Sequence, residues 1–360
     1  MYPPVQNFIQ VLEKDQPPVN IYVFTTKGVR SKLKLFETGN KKIRIIRMGK
    51  SGVGMNMLRR LWNYCFFFTG SFFYLLIKRP KRILYYETIS SFPVWLYRRF
   101  INKKTAILIH YHEYTSPQEY QSGMWLTKVF HHREKWLYPR AKWVSHTNEN
   151  RMKLFETDIA PVKITNPFIV PNYPPKAWYR EAKGNDRTPT LRIVYIGALS
   201  LDTMYTKEFA QWVKQKNGEV TWHIYSNNIL EEVQAFLKEI NSPDIIIKNG
   251  LGYDELPAVL KEYDIGVILY KGHIPNYIYN APNKLFEYLA CGLDVWYPGV
   301  MKEIDLYETV NSFPKVLKVD FDKLDSFNLQ IALNKEGLTK VVSPFFCEDA
   351  FASLATTLCD

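Results

Sequence analysis

Short apolar runs of five or six residues, rich in β-branched and aromatic side chains, alternate with longer amphipathic stretches almost from end to end. In the first half the runs are Asn20–Thr25, Lys42–Arg47, Arg82–Tyr86, Thr105–His110 and Lys142–Ser145. In the second half they are Arg192–Ile196, Thr221–Tyr225, Asp244–Lys248, Ile265–Leu269 and Asp294–Tyr297. Between them, stretches such as Thr206–Lys216 and Leu230–Ile240 carry apolar residues at helical spacing. Strands separated by helices are joined by crossovers, which makes the sheets parallel and the crossovers right-handed. Two such series predict an α/β protein of two doubly wound, Rossmann-like units.

The break between the series is PNYPPKAWYREAKGNDRTPT, proline-rich and aperiodic. It predicts a first unit over 1–171, a linker over 172–190, a second unit over 191–340, and a C-terminal helix over 341–360 crossing back to the first. A Rossmann-like unit should open on a strand. Here Pro3 and Pro4 come almost at once, so the first strand is expected to be missing. Of the 360 residues, 46% are apolar and 23% charged, a balance that excludes a disordered chain. The cysteines, Cys65, Cys291, Cys347 and Cys359, are scattered, which argues against a disulfide framework and a zinc-cysteine site. The opening MYPPVQNFIQ lacks the regions of a signal peptide, so a cytoplasmic protein is expected.

The segment Gly250–Trp296 carries most of the chemistry. It reads as a Gly turn, a helix over Tyr253–Glu262, a strand, a polar loop over Lys271–Asn283, and a helix over Lys284–Ala290. The loop follows the carboxyl end of a parallel strand and feeds a helix N-terminus, where ligands of open α/β sheets bind and free N–H groups suit phosphate oxygens. Lys284 adds a positive charge there. Glu287 lies one turn further in, where a carboxylate can accept hydrogen bonds from vicinal hydroxyls. Taken alone, Glu287 reads better as a surface residue of an amphipathic helix; taken with the rest of the stretch it does not.

APNKLFEYLACGLDV resembles the nucleotide-binding segment of GT-B glycosyltransferases, particularly the retaining group 1, family 4-like enzymes. RIVYIGALS looks like the opening strand and Gly loop of their donor domain, and NGLGYDELPAVLKEYDIGVILY like the stretch that precedes the motif. The resemblance covers Leu191 to Pro298. It implies that Glu287 matches the second glutamate of an E-x7-E motif and binds the ribose. The first glutamate's place, eight residues upstream, is held by Tyr279. The backbone around Asn280, Pro282 and Asn283, with Lys284, would hold the diphosphate. Gly197 and Ala198 match the Gly loop, Gly252 and Tyr253 the place where the base packs, and Asn227 with Asn228 a ligand-facing loop. Of the cations the family presents after the Gly loop, only Lys207 is found.

The implied activity is sugar transfer from a nucleotide-diphosphate donor to a saccharide or polyprenyl-linked saccharide, retaining and metal-independent, in bacterial surface polysaccharide synthesis, with no cofactor. The resemblance also implies that the two units face a cleft, whose closure would keep water from the reacting centre. An inactive GT-B-like scaffold is the alternative. In the first half, AILIHYHEYTSPQEY runs a strand out into His112 and Glu113. The resemblance implies contact of His112 with the sugar or the acceptor, and Glu113 is a candidate base. The plain alternative is that His110 and His112 are hydrogen-bonded residues at a sheet end. Asp320-Phe321-Asp322 matches a metal-binding Asp-x-Asp pattern, but it lies beyond the donor-like segment.

Lys and Arg number 47 against 35 Asp and Glu, a net charge of +12. No nucleic-acid-binding pattern accompanies it, so no nucleic acid partner is expected. The uncharged run Leu61–Ile77 is bracketed by Arg59, Arg60, Lys78 and Arg79. It falls short of a membrane span and predicts either a core helix or one peripheral on the anionic inner face of a membrane.

Overall fold

The computed structural model describes residues 2–28, 35–51, 55–184 and 190–360. The chain divides into two compact units, one of Met1–Asn172 with Cys347–Asp360 and one of Tyr173–Phe346.

The first unit opens with helix α1 (Pro3–Lys14), started by prolines whose missing N–H costs nothing in the first turn. Strands β1 (Ile21–Gly28) and β2 (Ile43–Ser51) pair in parallel, and α2 (Met57–Lys78) follows, its first turn capped by the Asn56 side chain on the Arg59 N–H. Next come β3 (Arg82–Tyr86), α3 (Ser91–Leu96), β4 (Ala106–Tyr111), α4 (Pro117–Ser122), α5 (Trp125–Glu134), β5 (Trp143–His146), α6 (Glu149–Ile159) and β6 (Pro167–Ile169). Strands β3 to β6 form a parallel sheet in sequential order. No ladder joins it to β1 and β2 among the described residues; instead Tyr22 and Phe24 pack on Tyr74 of α2. The unit is thus parallel α/β, as its alternating pattern predicts; among the described residues no ladder joins its two groups of strands into one sheet with a reversal of strand order.

The second unit has that reversal. Strands β7 (Leu191–Ile196), β8 (Val220–Ser226), β9 (Ile245–Asn249), β10 (Ile265–Val267) and β11 (Asp294–Pro298) enclose helices α7 (Thr206–Gln215), α8 (Glu231–Ile240), α9 (Leu256–Leu260), α10 (Pro275–Ile278) and α11 (Asn283–Ala290). Two short strands, β12 (Ser312–Phe313) and β14 (Thr339–Lys340), pair separately, while β13 (Val316–Val319) completes the main sheet before α12 (Leu329–Leu333). The main sheet runs β9-β8-β7-β10-β11-β13, all parallel. Along the central strands successive residues enter opposite cores. Ile193, Tyr195 and Trp296 pack with α7 residues, and Val194, Val295 and Tyr297 with α11 residues. Burial on both faces is why these strands read as continuous apolar runs. Gly266 lets α11 lie close on the sheet, since a Cβ there would stand 2.0 Å from the Tyr288 ring.

Between Tyr173 and Gly184, the proline-rich stretch expected as a linker is packed onto the second unit. Trp178 is buried in its core, the Arg180 N–H donates to the Ala290 carbonyl at 2.7 Å, and Lys183 pairs with Asp264 at 3.2 Å. Aromatic burial outweighs the freedom that its prolines suggest. The last helix, α13 (Cys347–Cys359), belongs to the first unit, where Phe351 meets Phe8 of α1 at 5.1 Å.

Candidate active site

In a sheet of this order, the connections leave β7 and β10 toward opposite faces, and a crevice opens beyond their carboxyl ends. Gly197, directly after β7, has φ +130, which favours glycine. Its N–H donates to the Tyr225 carbonyl at 2.9 Å, and a Cβ on it would stand 3.4 Å from Lys284 Nζ. The next carbonyl, of Ala198, accepts from the Tyr195 hydroxyl at 2.8 Å. Helix α11 starts at the same edge. Its N-cap is Pro282, which makes no side-chain cap, and the Leu285 N–H of the first turn donates to the Pro282 carbonyl at 2.9 Å.

Lys284, the second residue of α11, is half-buried beneath two aromatic rings. Its Nζ donates to the Tyr270 hydroxyl at 3.1 Å and lies 5.1 Å from the Tyr195 ring centre and 5.3 Å from that of Tyr270. Burial works against the charge, but Tyr195, Tyr270 and the Glu287 carboxylate outweigh it and hold the ammonium above the ordinary lysine range. One turn on, Glu287 is 6% exposed. Burial raises its pKa to about 7, against the opposing effects of Lys284 and a hydrogen bond with Tyr253. A solvated surface carboxylate is therefore the wrong description of Glu287: it is enclosed, with a tyrosine where ribose hydroxyls are expected. Tyr253 in turn packs at 4.6 Å on the Trp178 ring.

The other donor-side candidates surround this pair unevenly. Asn227 Oδ1 accepts from the Gly250 N–H at 3.1 Å, joining the ends of β8 and β9. Gly252 starts a short turn, its N–H donating to Glu255 at 2.5 Å. Tyr279 ends α10, with its N–H on the Pro275 carbonyl at 3.0 Å; Tyr279 and Asn280, both half-buried, make the joint that leads into Pro282 and Asn283. Lys207 lies exposed in the first turn of α7, and no contact places it beside Lys284. A second cation, Lys271, is held by Glu208 at 2.7 Å and lies over the Tyr205 ring at 5.1 Å. Sequence reading named Lys271 only as the start of a loop, because its partner lies 63 residues away.

In the first unit, His112 follows β4, buried between the rings of Tyr86 at 5.0 Å and Tyr2 at 6.0 Å. Its Nδ1 donates to Asn172 Oδ1 at 3.1 Å, and burial lowers its pKa to about 4 despite that bond, with Arg151 adding to the effect. The ring is neutral at pH 7, and Nε2, an acceptor in this tautomer, has no partner among the described residues. That nitrogen is enclosed, an acceptor held away from solvent. His110 has a structural partner, Ser145, at 2.8 Å. Glu113 is exposed.

Sequence reading missed Glu87. It follows β3 as His112 follows β4, and its carboxylate accepts from the His112 N–H at 2.6 Å and the Glu113 N–H at 3.3 Å. Its backbone sits at φ 60, ψ 153, a conformation that non-glycine residues rarely adopt and that clusters at functional sites. The available signal was the matching position of RILYYE and AILIHYHE at strand ends. Burial raises the Glu87 pKa to about 8 despite the two N–H donors, with nearby Glu113 adding to the rise. A raised carboxyl stabilises the fold below its unfolded pKa and loses that contribution as pH climbs through the folded one, here from about 4.5 to 8. The buried histidines have lowered pKa values and act below about 6.5, in the opposite sense. Glu87→Gln, which keeps an acceptor oxygen, is thus expected to remove about 2 kcal/mol of stability loss between pH 6.5 and 8. Urea unfolding at both pH values measures it; an unchanged slope refutes it.

Asp320-Phe321-Asp322 is a local turn with Phe321 buried, Asp322 accepting from the Tyr205 hydroxyl at 3.2 Å and Asp320 beside Lys323. Among the described residues no group of three or more His, Cys, Asp and Glu side chains is placed to hold a metal ion.

No family model matches the sequence, and no curated protein does. Solved structures do resemble the fold. A sucrose-phosphate synthase from Thermosynechococcus elongatus is 12% identical, with a TM-score of 0.65 over 98% of this chain and 88% of that one. The lipopolysaccharide outer core galactosyltransferase WaaB is 13% identical, with a TM-score of 0.59 over 98% and 94%. Anabaena HepE, in complex with UDP and glucose, is 13% identical, with a TM-score of 0.56 over 88% and 85%. The fold is that of the GT-B glycosyltransferases.

Proposed function

We propose that the protein is a glycosyltransferase that takes its sugar from a nucleotide-diphosphate donor held at the β7/β10 edge of the second unit. The observation that supports this most is the pairing of Lys284 and Glu287 on successive turns of α11, at the reversal of strand order and beside an uncapped helix start. A diphosphate needs a cation and free N–H groups; a ribose needs a carboxylate one turn away. As the bond from the anomeric carbon to the phosphate oxygen breaks, its electron pair stays on the leaving diphosphate. Lys284 and the α11 N–H groups would stabilise that growing charge. Bond formation from an acceptor hydroxyl releases a proton, which a basic group or the departing diphosphate must take up. Taken by itself, the first unit offers an exposed Glu113 and the stacked rings of Tyr2, His112 and Tyr86 at the end of β4, chemistry that suits a saccharide. Retention, independence from metal, and a saccharide or lipid-linked acceptor in surface polysaccharide synthesis complete the proposal. HepE, bound to UDP and glucose, makes a uridine diphosphate donor the first to try.

The test is thermal shift with UDP, GDP, dTDP and their sugars. At least one nucleotide diphosphate should raise the melting temperature as free ligand exceeds its Kd, and Glu287→Ala should lose most of that rise. Tyr279 in place of a glutamate supports the second reading, an inactive scaffold. Donor binding without transfer or hydrolysis of any sugar nucleotide would favour it, and no stabilisation by any nucleotide would sink both.

A further inference from the structure

Helix α2 is apolar on both sides. Toward the first unit's core it presents Phe68, Ser71 and Leu75, with Phe68 at 5.1 Å from Phe130 and 6.0 Å from Phe92. On the opposite side Leu58, Trp62, Phe66, Phe73 and Ile77, spaced by multiples close to the helical turn, are each more than half exposed. Twenty-two residues give a stripe about 33 Å long. An exposed apolar face of this length is an interaction surface rather than scattered side chains. No helix among the described residues is long and apolar enough to cross a membrane.

Charge identifies what would cover it. Between Glu37 and Glu87 the chain has eleven Lys and Arg and no Asp or Glu. Beside the stripe lies a cavity of about 510 Å³ whose lining includes Lys27, Arg47, Lys50 and Arg59 as well as Trp62 and Phe66, with no carboxylate. Its wall is fixed where Asn63 of α2 accepts from the Lys50 N–H at 2.6 Å. Among the described residues no acidic side chain pairs with Lys27, Lys50 or Arg59. A second copy of the chain would bring the same positive face against itself, so a two-fold dimer through α2 is disfavoured. An anionic bilayer supplies both missing halves, acyl chains for the stripe and phosphates for the cations.

We propose that α2 lies in the interface of an anionic lipid membrane, with Leu58, Trp62, Phe66, Phe73 and Ile77 inserted and the Lys27–Arg47–Lys50–Arg59 cavity engaging lipid phosphates. The proposal rests on the first unit alone and stands whether or not the second unit binds a donor. Notably, the inserted face is the stripe opposite Phe68, so the apolar run is half core and half docking surface.

Flotation of the full chain with phosphatidylcholine vesicles, with and without phosphatidylglycerol, tests it. Binding should require phosphatidylglycerol and weaken at high salt. Lys50→Gln with Arg59→Gln should weaken partitioning by about 25-fold, at roughly fivefold per cation. Trp62→Ser with Phe66→Ser should weaken it on the order of 30-fold by removing inserted apolar area. Circular dichroism and melting temperature should match the wild type, because all four side chains are surface groups. A wild-type chain that ignores anionic vesicles, variants that bind as well as wild type, or a dimer that Trp62→Ser and Phe66→Ser dissolve would each overturn it.

Discussion

Lys284→Met is expected to lower kcat/KM for the donor by at least about two orders of magnitude, the loss typical of removing one donor from a site where negative charge develops. The substitution keeps the length of the side chain and its packing against Tyr195 and Tyr270, so the chain should remain folded. What disappears is the ammonium. Lysine at this point is held charged by its surroundings, and it stands where Gly197 leaves room for a ligand to approach. If the charge acts on the leaving diphosphate, kcat should fall more than the affinity for the intact sugar nucleotide. Steady-state kinetics with the donor identified by thermal shift decide the matter. A variant with unchanged kcat/KM would remove Lys284 from the chemistry.

Glu287→Gln is expected to separate stability from function. In the wild type the raised pKa means that the folded protein holds its proton up to about pH 7, whereas the unfolded chain releases it near 4.5. Stability is therefore present below pH 4.5 and lost as pH rises through 7, on the order of 3 kcal/mol in all. Glutamine carries no charge to desolvate, so the variant without ligand should melt higher than wild type at pH 8. Donor binding should run the other way. A ribose hydroxyl donates to the ionised carboxylate, so wild-type affinity for a sugar nucleotide should fall about tenfold per unit below pH 7. The glutamine variant should bind weakly and without that dependence. Calorimetry with the sugar nucleotide avoids the titration of a free terminal phosphate. Equal affinity and equal pH dependence in the two proteins would refute the ribose role.

The Tyr253 hydroxyl on Glu287 fits the same picture. It supplies, in the absence of ligand, the hydrogen bond that a ribose would make, and so limits the cost of keeping a carboxylate enclosed. The expectation of an open carboxylate came from helix periodicity, which places Glu287 one turn after the α11 start but does not say what lies over it. Tyr253, which bonds the carboxylate, comes from the turn after β9, and the Trp178 ring that it packs on comes from the stretch read as a linker.

The strands over Arg192–Ile196 and Asp294–Tyr297 were legible because burial on both faces of a parallel sheet demands runs of apolar residues. The start of α11 was legible because a proline at its N-cap and a Gly after its last turn are local signals, decided by backbone sterics within a few residues. By itself, then, the sequence determined the alternating α/β course of the chain and the placement of Lys284 and Glu287 on one helix. Tertiary structure alone decided that Lys284 sits under Tyr195 and Tyr270, that Glu87 reaches the His112 N–H from 25 residues away, and that Phe68 faces the core while Phe66 faces out. Charge states and exposure depend on desolvation by groups distant along the chain, and that distance is removed only by folding.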